Sequence, residues 1–90
     1  MITYRFPEEK ELLLSHASRL GDARAEAILA RGTIESADDA RFLAKLYWRM
    51  VDTSTDDDIE VWLERIHNTL SIACGNAGYG AVWDEEIPDA

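Results

Sequence analysis

Apolar residues recur every three to four positions through most of this chain, which predicts a protein built almost wholly of helices. Pro7 opens the first helix, since its missing N–H would be unpaired there in any case. Glu8, Glu9 and Glu11 follow in the first turn, where the helix dipole favours anions. The pattern predicts this helix to about Leu20, stopped by Gly21, with Leu13, Ala17 and Leu20 on one face. A short alanine-rich helix fits Asp22 to Arg31, closed by Gly32.

Ser36 starts a third helix, and Ser36 to Asp39 has the form of a capping box with an acid one methylene short of the preferred glutamate. Leu43, Leu46, Tyr47 and Met50 then mark a buried face through about Val51. The run Asp52-Thr53-Ser54-Thr55 interrupts it, and Ser54 or Thr55 is suited to cap a fourth helix. Ile59, Trp62, Leu63, Ile66, Leu70 and Ala73 form that helix's inner stripe, and Gly75 ends it.

The ends are less regular. Gly78 and Gly80 bracket Tyr79 in a predicted turn, Val82 and Trp83 are apolar enough to dock on the helices, and Asp84-Glu85-Glu86 with Pro88 reads as a solvated end. Ile2, Tyr4 and Phe6 alternate with polar residues, so a short strand pair with Tyr79–Trp83 is compatible with the pattern, although such a ribbon is marginal alone. The expectation is a single all-α domain over residues 1–90: four mainly antiparallel helices and an irregular, partly frayed acidic tail from residue 76.

Charge changes this picture from a generic bundle to a polarised one. Residues 1–51 balance eight acids with eight bases, whereas residues 52–90 hold ten acids and Arg65 alone. The net charge of −9 therefore sits on the second part of the chain. Such a field repels nucleic acid and anionic membrane and attracts a basic partner. No apolar run approaches the roughly 18 residues a membrane span needs, and the N-terminus lacks the basic and apolar regions of a signal peptide. One cysteine, Cys74, cannot form an internal disulfide. A cytoplasmic location is expected.

Candidate chemistry is sparse. His67 and Cys74 are seven residues apart on one helix, about 10.5 Å along the axis and far beyond hydrogen-bond reach, so they cannot be a catalytic dyad. Cys74 reads as a small buried residue. Glu64-x-x-His67 has the spacing used in di-iron bundles but no second copy, because Leu13 precedes His16 where an acid would be needed. Asp52 to Leu63 partly imitates a calcium loop, yet Asp57 replaces the turn glycine and Leu63 the bidentate acid. The glycines at 75, 78 and 80 follow a helix rather than a strand, and acids flank them, which excludes a phosphate loop. No enzyme activity, cofactor or metal is expected.

Two surfaces remain. Asp56, Asp57, Glu60 and Glu64 line the outer side of the fourth helix at about 6 Å per turn. Asp84, Glu85 and Glu86 add to them from the tail, and Trp48 and Trp83 are the aromatic candidates for an interface. Arg41, Lys45 and Arg49 repeat on the third helix, with Trp48 beside them; they are expected to pair with acids of a neighbouring helix or subunit rather than bind nucleic acid directly. In size, acidity and helix content the chain is similar to phage inhibitors that imitate nucleic acid against host defence systems, of the anti-CRISPR kind, and to nuclease immunity proteins. It shares no motif with either and lacks the tyrosine-pair segment of colicin-type immunity proteins.

The expected function is that of a non-catalytic inhibitor whose negative face blocks the basic, nucleic-acid-binding site of a partner protein. The competing expectations are an assembly subunit that self-associates through Trp48, Val61 and Ile72, and a small metal-binding domain using Asp52–Glu64 and His67.

Overall fold

The structure, a computed structural model, describes residues 2–54 and 59–85. Within them lie α1 (Pro7–Arg19), α2 (Ala23–Arg31), α3 (Ala37–Thr53), α4 (Glu60–Asn76) and α5 (Gly80–Glu85), enclosed in extents of 33 × 30 × 25 Å. α3 packs against α2, α4 and α5, and α1 against α2 and α4. Leu13, Ile28, Leu29, Leu43, Leu46, Met50, Ile66 and Leu70 form the shared core, each essentially without solvent contact.

The caps explain the first three helices. Phe6 precedes α1 and has no side-chain acceptor, so the Glu9 carboxylate reaches back instead and accepts the Arg5 and Phe6 backbone N–H groups, at 3.2 and 3.4 Å. Asp22 caps α2 by accepting the Ala25 N–H at 3.1 Å. Gly32 ends α2 at φ +81°, a left-handed conformation open to glycine at no steric cost, and its N–H returns to the Ile28 carbonyl. Ser36 Oγ accepts the Asp39 N–H at 3.2 Å, which is half of the expected capping box. The other half is displaced by one residue, as the shorter Asp39 carboxylate takes the Glu35 N–H at 3.0 Å and the Arg31 guanidinium. Burial opposes ionisation of Asp39, but the Glu35 N–H, the Arg31 charge and Ser36 outweigh it and hold the carboxyl below its ordinary range.

Two expectations about the chain ends are corrected. The segment 79–83 does not offer a strand: Gly80–Glu85 is helix, and no strand occurs among the described residues. The Ile2 N–H donates instead to the Gly32 carbonyl at 2.8 Å, which pins the N-terminal segment to the end of α2. Within the described residues, to 85, the tail is likewise not irregular from residue 76. The Tyr79 N–H bonds the Cys74 carbonyl at 2.8 Å, the chain turns at Gly78, and α5 folds back onto α3 and α4. Trp83 is the reason, since its side chain is 1% exposed.

The α3–α4 junction is also shifted. α3 continues to Thr53, whose hydroxyl donates back to the Arg49 carbonyl at 2.8 Å. α4 starts at Glu60 behind Ile59. Of the two expected capping residues, Ser54 is instead the C-cap of α3, and Thr55 lies outside the described residues with Asp56, Asp57 and Asp58, which are also the middle of the calcium-loop imitation.

Candidate functional site

α4 turns Leu63, Ile66, Leu70, Ala73 and Cys74 inward and leaves Glu60 and Glu64 exposed one turn apart. Beside these acids, side chains of α3 and α4 line a groove of about 460 Å³: Tyr47, Val51, Glu60, Val61, Leu63, Glu64 and His67. The lining joins apolar side chains to two exposed carboxylates. The Tyr47 hydroxyl is raised above its ordinary pKa by burial and, secondly, by the negative charge of Glu64, so it stays protonated at neutral pH.

Behind His67 stands a cluster of rings. The imidazole meets Tyr47 at 5.2 Å, Trp83 at 5.5 Å and Trp48 at 6.3 Å between centroids. Tyr47 further meets Trp48 edge-on at 4.9 Å and Trp83 at 5.8 Å. These contacts fix the wall of the groove, because rings packed edge to face on several sides have little rotameric freedom.

The bases do not fill the groove. Arg49 lies 3.9 Å from Asp22 of the α2 cap, and Arg41 contacts Asp38 at 2.9 Å within its own helix. Lys45 is exposed on α3. Arg65 points to the other side of α4, stacked 4.8 Å from the Phe6 centroid and 4.9 Å from that of Trp62. Among the described residues, Glu60, Glu64, Asp84 and Glu85 take part in no ion pair.

Of the residues singled out from sequence, the groove therefore unites Glu60 and Glu64. Trp48 is half-buried against Tyr47 and His67 rather than projecting as an anchor. Trp83 has to be removed from the contact set, since its ring is enclosed and packs the core. Asp84 and Glu85 are exposed at the end of α5, while Asp56, Asp57 and Glu86 fall outside the described residues. Sequence reasoning missed Tyr47 and Val51 as groove residues, and it named His67 and Val61 only for a metal site and for self-association. Tyr47 carries the helical spacing of a core position, and nothing in that spacing shows that one edge of its ring borders a cleft.

Compared with protein-family models, curated proteins and solved structures, the chain matches none. The site has to be read from its own chemistry. Cys74 is fully enclosed and burial pushes its thiol up to about 11, so it is not a thiolate near neutral pH. Among the described residues, no three His, Cys, Asp or Glu side chains converge as metal ligands. No helix among the described residues is long and apolar enough to cross a membrane.

Proposed function

We propose that this protein is a non-catalytic binding module whose acidic groove receives a basic partner. Its proposed form is a small inhibitor that occupies the nucleic-acid-binding surface of that partner, as an anti-defence or nuclease-immunity protein would. One observation carries the reading: Glu60 and Glu64 stand exposed on the edge of a cleft without a cation of the described chain, in a protein of net charge −9. Two carboxylates separated by one helical turn, about 6 Å, are comparable in spacing with successive phosphates on a strand. Long-range attraction between such a face and a cationic site speeds encounter and weakens as salt is added.

The test is capture of partners from the native host on immobilised protein, repeated with the double variant Glu60→Lys/Glu64→Lys. The wild type should retain a basic protein that competing nucleic acid and high salt both release. The double variant should lose it while its helical circular-dichroism spectrum stays unchanged. Equal retention by the two proteins would rule out this groove as the binding site.

A second reading has its own support. Val61 and Ile72 are 56% and 63% exposed and fall near one line on α4, as a self-association surface requires. Size-exclusion at low and high salt separates the two. A dimer held by these side chains persists in salt, and Val61→Lys should make it monomeric.

A further inference from the structure

The groove has a chemistry more specific than negative charge. Its lining combines the buried Leu63 and Tyr47, the half-buried Val51 and His67, and the exposed Val61, Glu60 and Glu64. A simple anion patch would attract any cation equally. A lining that joins aliphatic and aromatic side chains to two exposed carboxylates suits a side chain with an apolar stem and a planar charged head.

Resting on the preceding reading of the groove as a site for a basic partner, we propose that it is an arginine-anchor pocket. An arginine of the partner lays its methylene stem on Val51, Val61 and Leu63, and its guanidinium lies between Glu60 and Glu64 beside the Tyr47 ring. Three physical arguments favour guanidinium over ammonium. The head group presents several N–H donors in one plane, so it can serve both carboxylates at once, whereas an ammonium is a point charge. It is less strongly hydrated, so entering a partly apolar cleft costs it less. It also stacks on rings, a mode this fold already uses where Arg24 covers Phe42 at 4.9 Å and Arg65 covers Phe6 and Trp62.

The unoccupied arrangement also carries a built-in incentive. Like charges at i and i+4 destabilise a helix, and Glu60 and Glu64 stand in that relation in the first two turns of α4. A cation held between them removes the repulsion. The occupant therefore stabilises α4 as it binds.

The experiment titrates the full chain with N-acetyl-arginine methylamide, N-acetyl-lysine methylamide and the neutral N-acetyl-citrulline methylamide, following backbone amide signals at low ionic strength. The arginine compound should move the signals of Tyr47, Val51 and Glu60–His67 in a saturable way, about fivefold more tightly than the lysine compound. The citrulline compound should leave them in place. Glu64→Gln, which removes charge without adding a repulsive group, should weaken the arginine response about fivefold or more with the same spectral fold.

Equal affinity for arginine and lysine compounds overturns the pocket, as does a response that does not saturate or that moves Asp84 and Glu85 as much as the groove. Those results leave the broader acidic-face reading standing, because its own test is partner capture by the charge-reversed variant. Saturable arginine binding, together with unchanged capture by Glu60→Lys/Glu64→Lys, would show that the groove holds arginine but is not where the captured partner docks, which overturns its role as that partner's anchor.

Discussion

The Thr69 hydroxyl of α4 donates a 2.7 Å hydrogen bond to Glu9 Oε1, at the start of α1. Glu9 is completely buried, and its other oxygen accepts the Arg5 and Phe6 N–H groups, so one carboxylate caps a helix and ties it to a partner sixty residues away. Its negative charge also acts on Tyr4, whose phenol is pushed up to about 12, mainly by burial and then by Glu9. Replacing Thr69 by Val deprives a buried carboxylate of one donor and should cost about 1–3 kcal/mol in urea denaturation. Thr69→Ser, which keeps the hydroxyl, should recover most of the loss. If Val and Ser variants unfold alike, the bond contributes nothing.

His16 makes stability depend on pH near neutrality. It is buried, with the Arg19 guanidinium 2.6 Å from Nδ1, and burial first and Arg19 second lower its pKa below the ordinary 6.5. The unfolded chain therefore takes up a proton before the folded one does. Stability from this group is complete above pH 6.5 and is lost as pH falls through the lowered folded value. Asp39, also lowered, adds a second loss that begins below its ordinary 3.8. Thermal melts across pH 7 to 5 should show the melting temperature falling, and His16→Gln should flatten that part of the profile.

The enclosed Trp83 makes α5 part of the fold. Trp83→Ala should cost about 3–5 kcal/mol, the usual range for removing a core aromatic, in a domain whose total stability is on the order of 5–15 kcal/mol. Chemical denaturation measures it directly. A cost under about 1 kcal/mol would mean that α5 does not rest on the core as described.

Glu64 and Tyr47 are coupled through charge. Glu64→Gln removes the negative neighbour that helps to raise the phenol, so Tyr47 should ionise at lower pH while remaining above the ordinary 10 because it is still buried. Ultraviolet titration of the tyrosines at alkaline pH, compared with Tyr47→Phe to assign the signal, reads the change. An unchanged Tyr47 titration would separate the two side chains.

Helices α1 to α3 were legible because their ends carry local chemistry: Pro7 with its following acids, Asp22 and Gly32, and Ser36. α5 was not, and the reason is length. Six residues beginning at glycine cannot nucleate a helix alone, so its helicity follows from seating Trp83, a contact that no local pattern displays. Glu9 was read as a dipole-facing acid at the helix start, which it is. Its bond to Thr69 stayed hidden because the partners meet only after α1 and α4 pack. The site divides in the same way. Period placed Glu60 and Glu64 on the outer face of α4, but the cleft beside them depends on the distance between two helices.

The single thiol at Cys74 gives the protein an internal clock. It is sealed at the end of α4 from which the chain turns back into α5, and it is held protonated by burial. An alkylating reagent in solution can react only during moments when that corner lifts open. The labelling rate of the native chain therefore reports residue-specifically how readily that corner opens, with no engineered probe, and a bound partner that clamps α3 and α4 together should slow it.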